Sequence, residues 1–266
     1  MPKTIIDGVN TYYEVHGKGH PLVLIQGFGG EHHAWFFQIP TFRKHFRLVI
    51  IDNRGTGDTE RTKTPYTIRT LADDVVALME HVGIDSAHIL GLSLGGLVAQ
   101  EMAITYPQRV DKLVLGSTFA AAEIAHATPE SRKLFGPVHS PSVDPGKVDF
   151  QQLMDFMVSL SFNRRLYRDS INLLRKIPTT FDPGGHIDQI NAARDYSVAD
   201  RLHLIRAPTL VITGSGDRIV PPENSEFLAA RIAGARLVKV KGASHAFFFE
   251  NSRVFNREVL RFLLQP

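Results

Sequence analysis

Along residues 1–118, short aliphatic and β-branched runs alternate with stretches in which apolar positions recur every three or four residues. The short runs, at residues 10–16, 21–26, 46–51, 87–90 and 112–115, read as strands, and two more follow at 209–213 and 236–240. Runs such as LVLI and LVII are apolar almost throughout, as expected of strands covered by helices on both faces of a largely parallel sheet. Between Pro65 and Gly83, Ile68, Leu71, Val75, Leu78, Met79 and Val82 mark one helical face. Thr67 is placed to cap that helix and Gly83 to end it. A second helix is predicted to begin just after Ser93 and to stop before Pro107, whose ring cannot continue it.

The rhythm changes over residues 119–200. Strand patterns vanish, loops occur at TPES, GPVHSPSVDPG and FDPGG, and clusters such as LMDFMVSLSF appear. The strand pattern then resumes and a final helix runs through Phe255, Leu260 and Leu263. The expected fold class is therefore α/β, with a mostly parallel central sheet, helices on both faces and an inserted helical cap. The expected core domain is discontinuous, residues 1–118 and 201–266, with the cap or lid at 119–200.

Composition narrows the chemistry. The 266 residues are 43% hydrophobic and 21% charged with a formal net charge of +3, enough apolar content for a sizeable core. The densest basic spots, Arg43-Lys44-His45-Phe46-Arg47 and Arg164-Arg165, are short, so no nucleic-acid partner is expected. There is no cysteine, which excludes disulfides, thiolate metal sites and a thiol nucleophile. The start of the chain lacks a signal-like apolar stretch, and no run approaches the ~18 apolar residues of a membrane span. A cytoplasmic monomer or homodimer with no membrane partner is the expectation. The adjacent His32 and His33 have no carboxylate at ligand spacing, so neither a metal nor any cofactor is expected.

One stretch needs a chemical explanation. Gly91-Leu92-Ser93-Leu94-Gly95 places a serine between flanking glycines, after a predicted strand and before a predicted helix. In a G-x-S-x-G turn the chain passes close to itself and presents the hydroxyl at the carboxyl end of the sheet. A serine hydroxyl needs a base and a group that orients the base. His245 lies in the loop after the last predicted strand, and Asp217 in the equivalent loop after residues 209–213. The Gly-rich turn Gln26-Gly27-Phe28-Gly29-Gly30 ends an early strand, where the N–H of Phe28 could join that of Leu94 in facing an oxyanion.

These segments, with Asp52-Asn53-Arg54-Gly55-Thr56-Gly57, GSGDRIVP and GASH, stand in the order and spacing of the α/β-hydrolase fold superfamily, which the chain resembles over nearly its whole length. It resembles bacterial serine carboxylesterases and lactonases with a helical cap. The resemblance implies a catalytic triad of Ser93, Asp217 and His245, an oxyanion hole from Phe28 and Leu94, and bracing of the active-site loop by Asp52 and Arg54. It differs from the family pattern at Gln26, where histidine is usual, and at Thr59, where serine or tyrosine is more frequent. A serine at position 93 argues against the branches that use an aspartate nucleophile. The implied substrate is a small-molecule ester or lactone with a small to medium hydrophobic arm, in a pocket lined by Phe119, Phe135, Phe156, Leu160 and Phe247. Enol-lactonases, N-acylhomoserine lactonases, carbon–carbon bond hydrolases and cofactor-free perhydrolases share the triad. A ligand receptor with slow turnover on the same fold is the alternative from a different class.

Overall fold

Alternation of side chains along the strands creates two apolar faces, and the helices divide between them. In the computed structural model, which describes residues 2–121, 129, 182–194 and 196–265, the sheet has eight strands: β1 (Lys3–Ile6), β2 (Val9–His16), β3 (His20–Ile25), β4 (Phe46–Ile51), β5 (Ala87–Leu92), β6 (Val110–Gly116), β7 (Thr209–Gly214) and β8 (Arg236–Val240). Their order is β1-β2-β4-β3-β5-β6-β7-β8, with the β1–β2 and β2–β4 pairs antiparallel and the remaining pairs parallel. In β3, Val23 and Ile25 join one buried cluster while Leu22 and Leu24 join the other. The same division holds for Leu113 and Leu115 against Val114 in β6, which is why these strands read as continuous apolar runs.

On the first face lie α2 (Ile68–His81) and α3 (Leu94–Thr105). Leu71, Val75, Leu78 and Met79 of α2 and Leu97, Val98 and Met102 of α3 fill the layer between helices and sheet. As expected, Thr67 caps α2, its Oγ1 accepting the Thr70 N–H at 3.2 Å. The second face is covered by α1 (Ile39–Phe42), α6 (Phe247–Glu250) and α7 (Ser252–Leu263), with Trp35, Phe42, Phe247 and Phe255 fully enclosed. Between these groups in the chain come α4 (Pro183–Arg194) and α5 (Pro222–Arg231).

The sequence pattern misses β1. Its four residues give almost no alternation, and Ile5 is 77% exposed, so only pairing with β2 reveals it as a strand. Of the insertion expected at 119–200, the described parts are its two ends and residue 129. Ala121 bridges Ser197, and the Val198 N–H donates to the Ala120 carbonyl at 2.9 Å, so the departing and returning chain run side by side. Phe135, Phe156 and Leu160 lie outside the described residues. Among the described residues, no helix is long and apolar enough to cross a membrane.

Candidate active site

Ser93 joins β5 to α3 with φ +50° and ψ −117°, a conformation that residues other than glycine rarely adopt. The surrounding backbone holds it there. Its N–H donates to the Gly116 carbonyl at 2.8 Å, and its own carbonyl accepts the Thr118 hydroxyl at 2.7 Å and the Gly96 N–H at 2.9 Å. The turn is tight enough that a Cβ on Gly95 would lie 2.3 Å from the Ile25 carbonyl oxygen, so helix α3 can start against the end of β3 only if position 95 has no side chain. A Cβ on Gly27 would likewise stand 3.0 Å from Ser93 Cβ, which places the Gly-rich loop directly beside the serine.

The loops after β7 and β8 are knitted together. Ser215 donates its N–H to the Val240 carbonyl at 2.9 Å and Gly216 to Ala243 at 2.8 Å. Within this frame Asp217 is wholly buried. Its Oδ1 accepts the N–H groups of Ile219 and Val220, both at 2.9 Å, and its Oδ2 lies 2.7 Å from His245 Nδ1. A carboxylate that already accepts two backbone donors acts as an acceptor toward the imidazole as well. A neutral imidazole that donates from Nδ1 to this carboxylate carries its lone pair on Nε2. β5, β6 and β7 are parallel neighbours, so their carboxyl ends, bearing Ser93, Ser117 and Asp217, share one edge; the Ser117 and Thr213 hydroxyls meet across it at 3.2 Å.

The Gln26–Gly30 loop is braced from two directions. Gln26 Oε1 accepts the Gly27 N–H at 2.9 Å, so the glutamine at this position hydrogen-bonds the loop itself. Gln189 of α4 accepts the Gly29 N–H at 2.9 Å, and the Gly30 N–H donates to Gly27 O at 3.0 Å. Phe28 is thus left as the loop amide with no acceptor among the described residues, and Leu94 supplies the first amide of α3. The Leu94 N–H stands at a helix N-terminus, where the first amides have no intrahelical acceptor and the dipole favours negative charge. The Phe28 ring packs edge-on against the buried His186 at 5.1 Å between centroids.

Beneath this loop Asp52 is fully buried and gathers three donors. Its Oδ1 accepts the His32 N–H at 2.6 Å, and its Oδ2 lies 2.8 Å from His32 Nδ1 and accepts the Asp58 N–H at 3.0 Å. Burial alone would push the His32 imidazole down, but the hydrogen bond and charge of Asp52, with Glu14 and Asp58 nearby, outweigh it and raise its pKa. Thr59 takes the Tyr12 N–H at 2.9 Å and donates to the Asp52 carbonyl at 2.8 Å, a link within the fold. Arg54 grips Asp74 through Nε and Nη2 and reaches Asp7, which fastens the following loop to α2.

The structure brings the sequence-derived positions 28, 93, 94, 217 and 245 to one edge of the sheet. Phe119 is half-buried against α3, where its carbonyl accepts the Gln100 amide at 3.0 Å. Phe247, expected to line the pocket, is fully enclosed and packs edge-on against Phe255 at 5.3 Å, because the short α6 turns it into the second core. Gln189 and His186 were not singled out in the sequence; nothing local to a polar position on a helix announces a contact with a loop 160 residues earlier.

An eight-stranded mixed sheet with helices on both faces, a strained serine between strand and helix, and a His–Asp pair on two later loops together define an α/β hydrolase. The family model for the alpha/beta hydrolase fold matches residues 20–252, and the chain belongs to that family. It is 31% identical over 273 residues to a protein of Caulobacter sp. strain K31 that bears the name carbamate hydrolase RutD, covering 99% of this chain and 98% of that one. Among solved structures it is similar to the enol-lactonase of Burkholderia xenovorans LB400, with TM-score 0.89, 28% identity and coverage of 99% and 100%. It is also similar to a hydrolase of Pseudomonas aeruginosa PA01, with TM-score 0.86, 30% identity and coverage of 99% and 98%.

Proposed function

We propose that this chain is a serine hydrolase that cleaves a carboxylic ester or lactone through an acyl-enzyme on Ser93. His245 Nε2 takes the hydroxyl proton as Ser93 Oγ attacks the carbonyl carbon, and the oxygen of the tetrahedral intermediate is held by the Phe28 and Leu94 N–H groups. Collapse breaks the carbon–oxygen bond, and the leaving alkoxide takes the proton from His245. Water, deprotonated by the same imidazole, then releases the acid and restores the serine. Asp217 keeps the imidazole in the required tautomer and offsets its charge when protonated. The observation that carries this reading is the combination of the strained Ser93 turn with a His245 whose Nδ1 is committed to a buried carboxylate 2.7 Å away.

The substrate arm in this reading is hydrophobic and of small to medium size. A carbamate is the second reading, favoured by the name of the Caulobacter relative, since its carbonyl is open to the same attack. A fluorophosphonate probe tests the nucleophile and a panel of p-nitrophenyl esters, lactones and carbamates tests the bond. Labelling confined to Ser93 with ester or lactone turnover supports the proposal. Labelling with turnover of carbamates alone selects the second reading, and a Ser93 that neither labels nor supports any turnover overturns both.

A further inference from the structure

The opposite edge of the sheet carries a second cluster of polar side chains. β3, β5 and β6 run parallel and are neighbours, so their first residues share the edge remote from Ser93. There His20 Nε2 lies 2.9 Å from Asp111 Oδ2, and the rings of His20 and His88 are neighbours, tilted by 48° with centroids 4.3 Å apart. The register explains the meeting. Leu22 pairs with His88, so His20, two residues earlier in β3, is the diagonal neighbour of His88 on the same face. Between β5 and β6 the pairing jumps from Ala87–Val110 to Ile89–Leu113, so Asp111 and Lys112 together oppose His88. A bulge of this kind re-aims side chains, and here it separates the two. Lys112 is tied to the carbonyls of Leu263 and Gln265, which leaves Asp111 beside the histidines.

Two features set this cluster apart from an ordinary surface ion pair. His88 is only 7% exposed, and among the described residues its buried Nδ1 has no hydrogen-bond partner. A buried polar atom without a partner in the chain calls for one from outside it. In addition, one ligand atom from each of His20, His88 and Asp111 can be chosen so that all three lie within 4.8 Å of one another. Tetrahedral coordination with bonds of about 2.0–2.1 Å needs ligand atoms roughly 3.3 Å apart. Rotation of His20 and Asp111, whose side chains are 47% and 32% exposed, can close that difference.

We propose that His20, His88 and Asp111 form a binding site for a divalent metal ion of the Zn²⁺ type, with water completing the coordination. Two imidazoles and one carboxylate suit Zn²⁺, Co²⁺ or Ni²⁺ in preference to Ca²⁺ or Mg²⁺, which select oxygen. The ion clasps the starts of three adjacent strands and takes no part in the chemistry at Ser93. Binding to the folded chain alone stabilises it by mass action.

The test uses tag-free full-length protein stripped with EDTA and titrated with Co²⁺. Ligand-field absorption saturating near one equivalent, and displaced by Zn²⁺, is expected. His20→Gln and Asp111→Asn, chosen because both side chains reach solvent, should each weaken binding by at least the roughly tenfold that even an outer-sphere change costs. Both should keep wild-type p-nitrophenyl ester turnover, and His33→Gln should bind as wild type does. At a Zn²⁺ concentration about a hundredfold above the wild-type Kd, Tm should rise roughly 5–10 °C in the wild type and by about half of that or less in the two variants. Failure to saturate near one equivalent, or equal affinity in wild type and both variants, would place the metal on other histidines and overturn the proposal.

Discussion

The side-chain carbonyl of Gln189 accepts the Gly29 N–H at 2.9 Å, joining helix α4 to the loop after β3 across 160 residues. Gln189 is fully buried, so this bond is not shared with solvent. With the Gly27 amide held by Gln26, it leaves the loop little freedom in where the Phe28 N–H points.

Gln189 is accordingly a positioning residue for the proposed oxyanion donor. Gln189→Leu keeps the volume but leaves the Gly29 N–H without its acceptor, a loss of about 1–3 kcal/mol. The expected outcome is a kcat at least tenfold lower with KM little changed, and a matching loss of affinity for a boronic acid analogue of the tetrahedral intermediate. Steady-state kinetics and inhibitor titration check it; an unchanged boronate Kd would reduce Gln189 to a purely structural contact.

Ser93 separates strain from chemistry. At φ +50° the serine stores on the order of 1–3 kcal/mol that glycine would not. Ser93→Ala and Ser93→Gly should both remove nearly all hydrolysis, yet the glycine variant should be the more stable by about 1 kcal/mol once its greater unfolded-state freedom is subtracted. Urea unfolding of the two variants side by side measures the difference.

Asp217→Asn preserves shape but offers an N–H where His245 Nδ1 needs an acceptor. The imidazole then favours the tautomer that carries its proton on Nε2, and turnover should fall by about 10⁴, as for triad acids generally. Circular dichroism should be unchanged. A loss smaller than tenfold would assign the orienting role elsewhere.

The buried His32–Asp52 pair makes stability depend on pH. The folded-state pKa of His32 is raised above its unfolded value, chiefly because the hydrogen bond and charge of Asp52 overcome burial. Its contribution is therefore fully present below the unfolded value of about 6.5 and is lost as pH rises through the folded pKa. Comparing wild type with His32→Gln cancels the histidines remote from position 32, leaving only the adjacent His33 coupled to the change. The stability gap between them, from urea unfolding, should be larger at pH 5.5 than at pH 8.5, and the reverse ordering would contradict a charged His32 in the fold.

Much of the molecule is legible in one dimension because local geometry constrains residue type. The apolar runs mark β2 to β8 to within a few residues, Thr67 marks a helix start, and the glycines around Ser93 mark a turn that side chains would obstruct. The loops bearing Asp217 and His245 follow from counting strands, since parallel strands deliver every following loop to one edge. β1 escaped because four residues with an exposed isoleucine leave no period to read.

The α/β class, the serine turn and the loops that bear Asp217 and His245 are written in local sequence. Tertiary structure alone decided that Gln189 holds the Gly29 amide, that Phe247 turns into the core, and that a bulge in β6 sets Asp111 beside His20 and His88. The physical reason is range. Periodicity, capping and steric exclusion act within a turn or two and leave a local mark, whereas contacts between distant segments depend on register and packing that no single stretch encodes.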